Sequence, residues 1–128
     1  MKKTYFTLVC LGALLFTSCD GSTNREWHII NNSSTTIFIE TSPEFWQNPI
    51  DPIPANTEKT IIVKQTIRGE SFTGSPTDYA NFLIFNTADT LIKNPNEDNN
   101  WNTTTKKTKN LPARYTHKFV FELNNSDF

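Results

Sequence analysis

Hydrophobic and polar positions alternate with a period of two through most of the chain beyond residue 25. No stretch there carries a helical apolar stripe of useful length. Trp27 and Ile29 share one face of a first strand, Glu26 to Ile30. After the turn cluster Asn31-Asn32-Ser33-Ser34, the segment Thr35 to Thr41 alternates again, with Ile37 and Ile39 on one side. Two such runs about a turn predict a hairpin. Lys59 to Gln65 predicts a further strand, with Ile61 and Val63 on one face and Ile62 on the other. Asn81 to Asn86 is apolar on both faces, the mark of a central strand, and Asp89 to Lys93 returns it as a hairpin. Tyr115, His117, Phe119, Phe121 and Leu123 form the inward set of a clean final strand.

Between these strands, Pro43, Pro49, Pro52 and Pro54 confine Ser42 to Asn56 to a loop or a sheet edge, because each proline removes a ladder donor. Pro54-Ala55-Asn56 reads as a turn into the next strand. Arg68 to Thr77 reads as a loop. Asn94 to Ala113 is long for a patternless connection. It is either a functional loop or the cover for a weak strand, and Trp101 to Lys107 is the best candidate for that strand. Several short strands joined by turns, some apolar on both faces, predict an all-β fold. The expected form is an immunoglobulin-like antiparallel β-sandwich of about six to eight strands.

The N-terminus changes the picture from a bare domain to an exported one. Lys2 and Lys3 precede an apolar run, Tyr5 to Phe16, of about twelve residues, which suits a signal core and falls short of the roughly 20 needed to span a bilayer. Leu15-Phe16-Thr17-Ser18-Cys19 resembles a bacterial lipobox, with Phe16 where an aliphatic residue is usual. The resemblance implies diacylglycerol on the Cys19 sulfur, cleavage before it, and burial of acyl CH₂ groups at roughly 0.8 kcal/mol each. The expected organisation is a lipoprotein signal peptide over 1–18, a flexible tether over 19–25 and a β-sandwich domain over 26–128. The expected location is the cell envelope, lipid-anchored at the outer membrane and facing the periplasm or the cell surface.

Cleavage leaves a chain of about 110 residues, the size of one domain. Cys10 goes with the signal and Cys19 with the lipid, so no disulfide or thiolate metal site is expected. The mature part carries about ten basic and thirteen acidic residues, and a balance this close to zero gives no reason to expect nucleic acid or an anionic surface as partner. Lipobox, tether and one small β-domain together resemble the small lipoproteins abundant in the phylum Bacteroidota. The residues behind this are Trp27 to Ser34, Asp89-Thr90-Leu91-Ile92 and the Tyr115 to Phe121 strand. The resemblance implies fold and location and carries no activity.

Candidate chemistry is sparse. His28 and His117 fall on the first and last strands, which can be neighbours in a sandwich, but two imidazoles are too few for a metal site. Ser71, Ser75 and Ser126 sit in no nucleophile-elbow pattern. The acid pairs Glu44 with Asp51 and Glu97 with Asp98 are close only in sequence. Asn96 to Asn100 lacks calcium-loop spacing, and the glycines are too few for a phosphate loop. The expected role is non-enzymatic, binding or accessory, without a cofactor; the alternatives are a small glycan-acting hydrolase and a subunit of a surface appendage. Phe45, Trp46 and Trp101 are the candidate contacts to a glycan or an envelope protein, since loop aromatics stack on sugars and anchor partners. Their alternative role is to cap the core. Asp89-Thr90-Leu91 also resembles a Bacteroidota O-glycosylation acceptor, which makes Thr90 a candidate modification site.

Overall fold

The computed structural model describes residues 21–41, 51–67, 74–110 and 112–128, and it is all-β. Seven strands, β1 (Ser22–Asn31), β2 (Ile37–Thr41), β3 (Asp51–Ile53), β4 (Thr57–Thr66), β5 (Phe82–Phe85), β6 (Trp101–Asn110) and β7 (Ala113–Leu123), form two sheets. One is four-stranded in the order β4-β1-β7-β6, the other three-stranded in the order β3-β2-β5.

The alternation in β1 and β7 builds the core. Trp27 and Ile29 of β1 lie in register with Phe119 and Phe121 of β7, all fully buried. The Trp27 and Phe119 rings meet at 4.8 Å. Ile37, Ile39, Ile53, Phe82 and Ile84 of the other sheet close over them. Each large apolar side chain so buried contributes roughly 1.5–3 kcal/mol. The two buried indoles also need partners for their N–H groups. Trp27 Nε1 donates to the Pro76 carbonyl at 3.0 Å, and Trp101 Nε1 to the Pro95 carbonyl at 2.8 Å.

The first and last strands are neighbours, and they run parallel over the whole of β1. The expectation of a wholly antiparallel sandwich is corrected on this point. The expected hairpin of Glu26–Ile30 with Thr35–Thr41 is also overturned, because β2 crosses to the other sheet and pairs with β3 and β5. Asn31 makes that crossover. Fully buried, its Nδ2 donates to the carbonyls of Thr35 (2.8 Å), Ile53 (3.0 Å) and Pro54 (3.1 Å), and its Oδ1 accepts from the backbone and hydroxyl of Ser33. One amide thus ties the end of β1 to the end of β3 across the two sheets.

Other elements moved for identifiable reasons. β1 begins at Ser22 with Thr23 and Arg25 buried, so residues 22–25, expected in the tether, are strand. A bulge opposite Trp27 and His28 inserts Ile61, which turns both Ile61 and Ile62 inward and leaves Val63 62% exposed. The turn at Pro54-Ala55-Asn56 forms as expected, with Asn56 in the left-handed region at φ 57°. The described part of the proline-rich segment, residues 51–56, holds β3 at a sheet edge. The strand within Asn81–Asn86 is an edge strand rather than a central one. Leu83 faces out, and Phe85 stacks on Phe38. Its expected hairpin shrinks to a single bridge, Phe85 to Thr90. The weak strand at Trp101 is real and runs on to Asn110.

The two sheets differ in length. The strands of the larger sheet run 10 or 11 residues, those of the smaller 3 to 5. The small sheet therefore faces only the Asn31 half of the large one. On the Ser22 half, the inward positions turn polar: Thr23, Arg25 and His117 are buried. Tyr79 packs there, its ring edge against Trp27 and its face beneath Arg25 and Lys64.

Asn31→Ala should lower stability by about 3 kcal/mol in urea denaturation, since buried carbonyls lose their donor. Asn31→Asp should cost more than the alanine, because it sets a carboxylate against three carbonyl oxygens. A variant series in which aspartate is the milder change would refute this account of the crossover.

Candidate functional site

Cys19, Phe45 and Trp46 lie outside the described residues. Trp101 is 6% exposed, wedged between Phe82 and Phe121 with ring centroids at 5.1 Å from each, so it packs the core and is not displayed for contact. Thr90 is exposed beside the bridge to Phe85. His28 and His117 do lie on adjacent strands, but on opposite faces. His117 points inward, its Nδ1 2.8 Å from Thr105 Oγ1, while His28 points outward. Among the described residues no three His, Cys, Asp or Glu side chains converge as a metal site.

Of the acids singled out in sequence, Glu44 and the side chain of Asp51 lie outside the described residues, and Glu97 and Asp98 are engaged locally. Asp98 accepts from the hydroxyls of Ser75 and Thr77, the latter at 2.7 Å, which clips the 3-10 turn Pro76–Asp78 to the 3-10 turn Asp98–Asn100. Those hydroxyls, Ser75 first, hold the Asp98 carboxyl below its ordinary range. Glu97 accepts from Asn94 Nδ2 at 3.1 Å. Ser75 therefore caps a turn and is not activated by a base.

A charged network runs across the outer face of the large sheet. His28 Nδ1 lies 2.9 Å from Glu58 Oε1 and 3.1 Å from Thr60 Oγ1, and its Nε2 lies 3.3 Å from Glu26 Oε2. Lys118 Nζ donates to Glu58 Oε1 at 3.0 Å. The Lys118 hydrogen bond is the main force holding the Glu58 carboxyl below its usual range, with a smaller contribution from His28. These residues come from β1, β4 and β7, and no spacing along the chain announces them. An imidazole between two carboxylates, with only a threonine hydroxyl in reach, braces three strands and offers no nucleophile.

The other constellation is a concavity of about 550 Å³ at the Ser22 end of the large sheet. Gly21, Ser22 and Asn24 form one wall from the start of β1. Gln65 and Ile67 flank it from the end of β4, and Thr108 and the Arg114-Tyr115-Thr116 run come from β6 and β7. Its volume suits a small polar ligand. The lining offers one guanidinium, two amides and several hydroxyls, with Ile67 and Tyr115 as apolar surface. Among the described residues that line it there is no carboxylate, imidazole or thiol. Such a set holds oxygen-rich groups through hydrogen bonds and has no group that exchanges a proton near neutral pH. None of the candidate contact, modification or catalytic residues named from the sequence lines it, because it is assembled from the ends of four strands. No known protein family, curated protein or solved structure matches the chain.

Replacing Lys118 by Met should weaken the fold only slightly near neutral pH, by less than about 1 kcal/mol, since the pair is half-exposed. The sign follows from the lowered Glu58 pKa: its contribution is present above the ordinary carboxylate value and lost as pH falls through the lowered one. Urea denaturation of the two proteins should therefore differ near pH 7 and converge as pH falls below the carboxylate range. A gap that persists in acid would mean the loss is one of packing.

Proposed function

We propose that this chain is a lipid-anchored, non-enzymatic binding protein of the bacterial cell envelope, and that the cleft at the Ser22 end receives a polar envelope ligand of the glycan class. The lining of that cleft carries the reading: donors and hydroxyls in a ligand-sized space, without acid–base groups among the described residues. The lipobox at Leu15–Cys19 supports the anchor, and its cysteine precedes β1 by three residues. Acylation of Cys19 would hold the protein to the outer membrane, facing the periplasm or the cell surface. The four-plus-three division of seven strands supports an immunoglobulin-like type. The parallel β1–β7 pair is a variation on that plan. Exposure of Thr90 supports its candidacy as an O-glycosylation acceptor.

A second reading, subunit of a surface appendage, draws on β6. This ten-residue edge strand is exposed at every position but Trp101, and an incoming strand could pair with it. Concentration-dependent oligomers in size-exclusion chromatography would favour this role over ligand binding.

Two measurements test the main reading. Intact mass of the mature chain should show acyl additions that Cys19→Ser abolishes, and one sugar increment that Thr90→Ala removes. Titration with envelope oligosaccharides, followed by NMR, should shift Asn24, Gln65 and Thr116. Arg114→Gln should weaken that binding at least about tenfold, the scale of one hydrogen bond to a charged group. Shifts confined to other surfaces would overturn the cleft assignment.

A further inference from the structure

We propose that Lys106, Lys107 and Lys109, near the far end of β6, press on anionic phosphate groups of the membrane that holds the lipid anchor. The inference rests on acylation of Cys19 and does not depend on the ligand of the cleft. From Cys19 to Ser22 the chain can span at most about 10 Å. Ser22 stands in register with Arg114, which pairs with Lys109, while Lys107 pairs with Tyr115 and Lys106 with Thr116. Two strand spacings of about 4.8 Å put these lysines roughly 10 Å to the side of the β1 start. An acyl chain on Cys19 therefore brings this end of the sheet, and no other, to the head groups.

The strand segments at that end carry only basic charge among the described residues, Asp78 lying off them in the turn before Tyr79. Lys106, Lys107, Lys109 and Arg114 are all exposed. None of the four makes an ion pair with a described residue; Lys107 lies 5.7 Å over the Tyr115 ring. Among described residues, the lower stretches 21–25, 64–67, 105–110 and 112–117 contain no carboxylate. Glu58, Glu97, Asp98, Glu122 and Asp127 belong to the opposite end of the strands or the turns beside it. The near-neutral total conceals this separation, since a net charge averages over a distance larger than the Debye length of about 8–10 Å. Asp20, adjacent to the anchor in sequence, offsets one of the cations. Ile67, 76% exposed, adds an aliphatic group at the same end. Each basic side chain close to an anionic leaflet strengthens partitioning roughly fivefold.

The test uses the full mature lipoprotein, its acylation checked by intact mass, in vesicles of phosphatidylcholine alone or with about one third phosphatidylglycerol. Cys19 being taken by lipid, Thr108→Cys introduces a single thiol for a spin label, and Ser126→Cys places one at the opposite end. A head-group-bound relaxation agent should reach the Thr108 label more strongly in phosphatidylglycerol vesicles than in phosphatidylcholine. The gain should vanish in K106Q/K107Q/K109Q and be missing at the Ser126 label. Equal exposure of both labels, or a gain that survives the triple substitution, overturns the proposal. If the mass shows no acyl group, the anchor reading fails on its own. The unacylated full chain should then still sediment with phosphatidylglycerol vesicles in preference to phosphatidylcholine, with the triple variant weaker on the order of 100-fold. No such preference overturns the lysine contact itself.

Discussion

Everything else in this molecule is built around the parallel pairing of its first and last strands. β1 and β7 are the two inner strands of the large sheet, and their register sets Trp27 beside Phe119, Ile29 beside Phe121 and Asn31 beside Leu123. A parallel pair needs a connection that returns to the same end, and here the whole of β2 to β6 supplies it. Those strands must then fit around a centre defined by residues nearly a hundred positions apart. β4 and β6 flank the pair, and β2, β3 and β5 fold over it as a short cover of isoleucines and Phe82. The arrangement is dominated by long-range contacts, which places its assembly among slow-folding β topologies.

The mismatch between the sheets follows from that plan and makes the two ends of the molecule differ. Where the small sheet faces the large one, the inward positions are Trp27, Ile29, Phe119, Phe121 and Leu123, with Asn31 at the crossover. Toward Ser22 the small sheet ends, while the large one continues with Thr23, Arg25 and His117 inward. The polar cleft and the exposed lysines occur at this polar end. The opposite end is closed by Asn31, by the hydrogen bond from Lys93 Nζ to the Glu122 carbonyl, and by the backbone bond from Ile92 to Asp127. One end of the core between the two sheets is closed by these hydrogen bonds, and the other is lined by polar and basic side chains.

The net charge says nothing of how charge is placed: β6 gathers three lysines at one end of its length and none at the other. Lysines on an edge strand also discourage edge-to-edge pairing with a second chain. The same residues thus protect an otherwise uncovered ladder and define the basic end. The only imidazole on the outer face is held by Glu26 and Glu58, which spends the sheet's titratable groups on bracing its strands.

Much of the architecture was legible from the chain alone. Period-two alternation marked β1, β2, β4 and β7 and the inward set His117, Phe119, Phe121 and Leu123, because half-buried strands expose alternate side chains to water. The prolines correctly kept β3 at an edge, because proline cannot serve a central ladder. What local patterning could not decide was partnership. Whether Asn31-Asn32-Ser33-Ser34 turns a hairpin or crosses between sheets depends on the carbonyls of Ile53 and Pro54, more than twenty residues away. The apolar run Phe82–Phe85 resembled a central strand, yet the small sheet ends there, leaving Leu83 to solvent. The inward turn of Ile62 came from a bulge, the burial of Trp101 from Phe82 and Phe121, and the cleft from four strand ends. Periodicity records which face of a segment meets water; only the folded chain sets which other segment covers the opposite face.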